Sequence, residues 1–214
     1  MDLKISVDEW LLRPHNVSDC LLTMPRHKFP DTRDRIEAAA IHLFVEKGVA
    51  ETTVRDIARA LEMSEGALYR HFESKEQLVW LVFQRHYLAF ATELRALAET
   101  AGTTRDKLAA MIRGFCRAHD TNPELFRFLL FVQHGQLARL TPDMLTPVDA
   151  VRAVVAAGLA SGDLPAQHPE MATALVFGVV LQPVQFAAYG RLPAEMTPLS
   201  ERLVTAAWAA LTTL

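Results

Sequence analysis

The stretch from Thr53 to Phe72, "TVRDIARALEMSEGALYRHF", decides how the chain folds. Thr53 stands three residues before Asp56, the spacing at which a hydroxyl and a carboxylate cap a helix start reciprocally. Ile57, Ala58 and Leu61 then supply a buried side, and Glu62-Met63-Ser64 interrupts the pattern as a tight turn. Beyond the turn, Leu68 and Phe72 at i and i+4 face inward. That leaves Glu65, Gly66, Ala67, Tyr69 and Arg70 outside. Surface helices mostly expose glutamate and lysine, so this mixture calls for a particular partner surface.

A helix of about eight residues, a three-residue turn and a second short helix make a helix-turn-helix, whose second helix enters a DNA major groove. Each outward residue then has a use. Gly66 lets the backbone come close, Ala67 suits a thymine methyl and Arg70 suits the guanine edge. Tyr69 and His71 offer donors to phosphates, which fix register without reading sequence. Lys75 lies in the first turn of the next helix, where free N–H groups already favour an anion, and Thr53 and Arg55 occupy the equivalent place on the first motif helix. Ser64, at the start of the reading helix, completes the set. Glu65 accepts from a cytosine N4 or simply favours the helix N-terminus.

Outward from the motif the chain reads as all-helical. Ile36, Ala40, Leu43 and Phe44 follow a helical period that ends in Lys47-Gly48, and Ser74-Lys-Glu-Gln77 opens a long helix reaching about Thr100. Further helices are expected near 104–119, 123–134, 147–160, 168–190 and 198–213, about nine in all, and no stretch alternates as a strand does. Residues 25–75 hold 18 charged residues (9 acidic, 9 basic), whereas the longer stretch 121–214 holds 12 (7 acidic, 5 Arg). The chain therefore divides into a small polar-faced unit, 31–75, and a greasier one, 76–214. Residues 1–30, interrupted by Pro14, Pro25 and Pro30, read as a flexible arm. Met24 is a second candidate start, which would make 1–23 an upstream extension.

The 214 residues carry a formal net charge of -3, so a nucleic-acid role must rest on a local patch and not on global charge. Cys20 and Cys116 lack paired spacing, which argues against a disulfide framework and for a reducing compartment. No secretory leader is evident, and the apolar run Ala172–Ala188 is broken by Gln182, Pro183 and Gln185, short of the ~20 residues that a span needs. A cytoplasmic protein without a membrane segment is expected. No His-Glu-x-x-His, phosphate-binding glycine loop or nucleophile elbow occurs, so no catalytic residue, metal or cofactor is assigned. Cys116 and His119, at i and i+3, have no second ligand pair nearby and read as a core cysteine beside a pocket histidine.

"DTRDRIEAAAIHLFVEKGVAETTVRDIARALEMSEGALYRHFESKEQLV", beginning at Asp31, resembles the N-terminal DNA-binding domain of the TetR family of transcriptional repressors. The resemblance implies about three helices that bind DNA and a C-terminal helical domain for a ligand and for dimerisation. It carries DNA contacts to Thr53, Arg55, Ala67, Tyr69, His71 and Lys75, while Gly66 and Arg70 lie where the family varies. It also implies a homodimer on a palindromic double-stranded operator, released by a small-molecule effector. For that effector, Met111, Phe115, His119, Phe131, His134, Gln182 and Tyr189 are the candidate pocket residues, with Phe126, Phe128, Trp80, Phe83, Tyr87 and Phe90 as further apolar lining. Close-packed core is the competing account of these aromatics. The last two helices, 168–190 and 198–213, read as the dimer surface: Ala174, Gly178, Ala206, Ala207 and Ala210 permit close approach, and Leu175, Val179, Leu203 and Trp208 add area. Two other functions stay open: a DNA-binding protein without an effector, and a small-molecule binder or enzyme with a vestigial reading head.

Overall fold

A computed structural model describes residues 31–213; the arm at 1–30, with Cys20, lies outside them. Among the described residues there are nine α-helices and no strand. They are α1 Thr32–Lys47, α2 Val54–Ala60, α3 Glu65–Tyr69, α4 Lys75–Glu99, α5 Thr104–Thr121, α6 Pro123–Gln136, α7 Pro147–Ser161, α8 Pro169–Ala188 and α9 Ser200–Thr212. Short 3-10 turns, Leu137–Arg139 and Thr197–Leu199, follow α6 and precede α9. The chain forms two compact units that divide at Gln84/Arg85, inside α4 rather than at its start.

In the first unit α1 buries Ile36, Ala40, Leu43 and Phe44. It stops at Gly48, whose φ of +89° belongs to the region that side chains resist. Thr52 is buried in the following loop, its hydroxyl 2.8 Å from Gly48 O and 3.2 Å from Leu43 O. The expected capping box opens α2: Asp56 N donates to Thr53 Oγ1 (3.1 Å) and Thr53 N donates to Asp56 Oδ2 (3.0 Å). Ile57, Ala58 and Leu61 are buried as the spacing predicts. Glu62 then takes a φ of +53°, the single non-glycine positive value among the described residues, and Met63 N closes back on Ala58 O at 2.9 Å. Nothing in a glutamate announces that conformation, because carbonyl closure and not local preference produces it. At the start of α4, Gln77 N donates to Ser74 Oγ as a capping box requires, but the Gln77 amide oxygen accepts from Glu73 N at 2.6 Å instead of from Ser74.

The second unit repeats the threonine device. Thr103 with Asp106 opens α5, Thr146 with Asp149 opens α7, and Asn122 accepts from Leu125 N to open α6. The stretch "SGDLP" ends α7: Gly162 has a φ of +81°, Asp163 accepts from Thr104 Oγ1 at 2.7 Å, and Leu164 is buried. Helix α8 packs on α7 and α9, and α9 packs on α5. Two residues expected at a dimer surface, Leu203 and Ala207, are buried within this chain. They face the chain's own core, because α9 turns its apolar stripe inward. Helices expected over 168–190 and 198–213 are shorter: the chain leaves α8 after Ala188, and Pro198 holds a 3-10 turn before α9.

A Cβ at Gly158 would lie 2.5 Å from Thr104 Cγ2 and 3.2 Å from Leu164 Cδ1, whereas one at Gly66 would meet nothing within 4 Å. Gly158→Ala is therefore expected to cost about 1–3 kcal/mol of stability, and Gly66→Ala none. Thermal denaturation of the two variants checks this contrast.

Candidate functional site

Helix α3 has five residues, and it exists because both its ends are tied. Ser64 Oγ accepts from Ala67 N at 3.1 Å, and Leu68 and Phe72 are 1% and 2% exposed. With those anchors buried, Ser64, Gly66, Tyr69, Arg70 and His71 are exposed, and Ala67 is half-buried. Thr53 and Arg55 are exposed at the start of α2. Thr53 spends its hydroxyl locally: it accepts from Asp56 N and donates to Asp56 Oδ2 at 2.8 Å. Hydrogen bonds from the Thr53 backbone and hydroxyl hold the Asp56 carboxyl below its usual range, with Lys47 adding a weaker pull at 3.7 Å.

Lys75 stands apart from the other candidates. Its ammonium donates to three backbone carbonyls of the loop between α1 and α2: Val49 O at 2.7 Å, Thr52 O at 2.9 Å and Ala50 O at 3.2 Å. A lysine has three N–H donors, so that cradle takes them all. The sequence pattern concealed this, because the carbonyls lie more than twenty residues upstream.

In the second unit a cavity of about 340 Å³ is lined by Tyr87 and Phe90 of α4, Phe115 of α5, Phe126, Leu129, Leu130 and Gln133 of α6, and a stripe of α8 that includes Thr173 and Phe177. Phe90, Phe115 and Phe126 meet edge to face, with centroids 5.1–5.8 Å apart. Of the seven pocket candidates read from the sequence, Phe115 lines this cavity. His119, Phe131, His134, Gln182 and Tyr189 line a wider cleft between α6 and α8, about 760 Å³, and Met111 borders a void of about 20 Å³. Phe128 is buried instead, at 1% exposure. The lining from α8 includes Ala174, expected at the dimer surface, and Phe177 and Leu181, which carry no chemical signal in the sequence. Trp80 and Phe83 belong to the first unit.

His119 is buried, with Nδ1 3.0 Å from Asp120 Oδ1. Asp120 also accepts from Met196 N and Thr197 N, both at 2.7 Å, and so fastens the connection before α9 to the end of α5. Burial raises the Asp120 pKa, but the hydrogen bonds from His119, Met196 and Thr197 outweigh it and hold the carboxyl below the usual range. Cys116 is fully buried, and burial pushes its thiol up to about 11, as for an unreactive core cysteine.

Residues 36–80 match the sequence profile of bacterial regulatory proteins of the tetR family. The chain is similar to the HTH-type transcriptional repressor Rv3405c of Mycobacterium tuberculosis, at 32% identity over 133 residues, covering 59% of this chain and 64% of that one. It is also similar to the HTH-type transcriptional regulator SAB2452 of Staphylococcus aureus, at 38% identity over 69 residues, or 32% of this chain and 37% of that one. The chain thus spans less than two thirds of the length of the curated relatives it matches. Its fold is similar to that of the transcriptional regulator FadR from Bacillus subtilis, solved in complex with stearoyl-CoA, with a TM-score of 0.66. That likeness covers 80% of this chain and 95% of that one at 16% identity, so it extends to the fold alone.

A carboxyl held low in the folded state stabilises fully above its unfolded pKa, and that contribution is lost as pH falls through the folded value. Asp120→Asn is accordingly expected to cost about 1–3 kcal/mol at neutral pH and to flatten the loss of stability below pH ~4. Chemical denaturation at pH 7 and pH 3 measures both.

Proposed function

We propose that the chain, whose residues 36–80 match the profile of the tetR family, acts as a ligand-responsive transcriptional repressor on double-stranded DNA. The observation that carries this is the α2–α3 pair: Gly66, Tyr69, Arg70 and His71 are exposed over the buried Leu68 and Phe72, as a major-groove helix requires. Arg70 and Ala67 meet base edges, while Arg55, Tyr69, His71 and the α2 N-terminus at Thr53 meet phosphates. Ser64 caps the reading helix and Gly66 admits the backbone.

The protein works as a homodimer. Met171, Ala174, Gly178, Gln182 and Gln185 are exposed along α8 at spacings of three and four, and Arg202, Thr205, Ala206 and Ala209 are exposed on α9. Small residues at Ala174, Gly178, Ala206 and Ala209, flanked by Met171 and polar side chains, support close packing against a second copy. By length and composition alone α8 is apolar enough to cross a membrane, but Ala172, Val176, Val180 and Val184 face the chain's own core. A dimer interface is the reading that uses its outer face, and it accords with a cytoplasmic protein. Two-fold symmetry sets the reading helices one DNA turn apart, about 34–36 Å, on a palindromic operator. The effector occupies the cavity of the second unit and favours a state in which that spacing is wrong.

Lys75 has a different part from the other DNA-face residues. It ties the first turn of α4 to the loop that positions α2, so it places the phosphate-binding end of α2 without itself meeting a phosphate.

Selection from a random duplex pool is expected to yield a palindrome, and Arg70→Ala to relax the choice at one position per half-site at a cost of about 1–3 kcal/mol. Failure to enrich any duplex overturns DNA binding. Lys75→Met is expected to weaken binding several-fold with an unchanged slope of log affinity against log salt; loss of a phosphate contact would flatten that slope by about 0.9 per subunit. Gel shifts across a salt series distinguish the two.

A further inference from the structure

Taking the cavity as the effector site, as proposed above, we infer that it selects a compact apolar molecule that is neutral or carries one positive charge, and that it refuses anions. Three observations carry this. First, Glu170 is the one Asp, Glu, Lys, Arg or His among the lining residues. It is exposed and paired loosely with Arg152 at 3.8 Å, a contact too long and too wet to cancel its charge. Arg152 lies 3.7 Å from Asp149 as well, so two carboxylates share one cation beside the chamber.

Second, the walls are aromatic. Tyr87, Phe90, Phe115, Phe126 and Phe177 line the space, and a ring that turns its face inward attracts a cation and repels an anion. Thr173 on the α8 wall donates its hydroxyl to Pro169 O at 2.8 Å, which leaves the Gln133 amide as the side-chain N–H donor of the lining. Burial first and the Asp149 charge second push the Tyr87 phenol up to about 12; burial penalises either sign of charge, and only the Asp149 contribution sets an anion apart from a cation.

Third, the size is restrictive. A chamber of about 340 Å³ is at the small end of ligand cavities, roughly 300–1,000 Å³. It suits a two-ring body rather than a long chain with a nucleotide head. Apart from Arg152 beside Glu170, the basic side chains near this region, Arg127 and His134, line the adjoining cleft and not the chamber itself.

The test is calorimetric binding of three probes with one hydrocarbon body to the full chain at low salt and pH 7.5: biphenylmethanol, biphenylmethyl-trimethylammonium and biphenylcarboxylate. The alcohol and the ammonium are expected to bind about tenfold or more tightly than the carboxylate. Glu170→Gln, a change at an exposed position, is expected to narrow the gap between ammonium and carboxylate to about threefold or less. Equal binding of carboxylate and alcohol overturns the charge selectivity and leaves the effector site standing. So does a gap that Glu170→Gln leaves untouched, or carboxylate binding that Arg127→Gln abolishes. Binding of none of the three, in wild type or with Glu170→Gln, overturns the cavity as effector site together with this inference.

Discussion

A five-residue helix cannot form unaided, because the cost of nucleating a helix exceeds what so few hydrogen bonds return. Helix α3 stands only because Leu68 and Phe72 are buried and Ser64 satisfies a free N–H at its start. Every other property of the reading head follows from that constraint. With two side chains committed inward, the remaining positions face solvent whatever their identity, so evolution can vary Arg70 or Gly66 without touching the fold. Stability is thereby carried by two side chains of the segment, and its exposed ones stay free for a partner surface.

The second unit solves the opposite problem. Its helices are long and capped by the same threonine–carboxylate device at Thr103 and Thr146, so they need little help from one another to form. Packing quality is then free to be uneven. Close approach is enforced where Gly158 lets Thr104 and Leu164 touch, and it is relaxed where three phenylalanines meet edge to face beside an open chamber. Edge-to-face rings are stiff, flat-sided blocks that leave space unless another aromatic fills it. The cavity is a consequence of that geometry.

What the sequence made legible was local or periodic. Capping boxes at Thr53, inward pairs such as Leu68 and Phe72, and the glycine stop at Gly48 each depend on residues within a turn or two, and all appear in the structure. Illegible features join distant segments. The Lys75 cradle spans more than twenty residues, Asp120 holds Met196 and Thr197 across more than seventy, and the cavity draws on five helices. The candidate pocket residues illustrate the difference: Phe115 lines the chamber while His119, His134 and Tyr189 line the cleft, and Phe177 and Leu181, which line both, sit on a helix whose rotation no spacing revealed. Glu62, at a positive φ, shows that even a local feature escapes when closure of a turn overrides residue preference.

The carbonyl cradle around Lys75 also bears on how α2 is placed. Helix α4 carries Lys75 in its first turn. A rod moved at one end transmits little to a neighbouring loop through soft apolar contacts alone, since side chains can repack. Three hydrogen bonds from one ammonium to three successive parts of a loop permit no such slack, because any relative shift strands donors or carbonyls. The loop ends at Thr53, which caps α2. A displacement of the first turn of α4 therefore arrives at the N-terminus of α2 as a change in position, while the threonine cap keeps the helix itself intact.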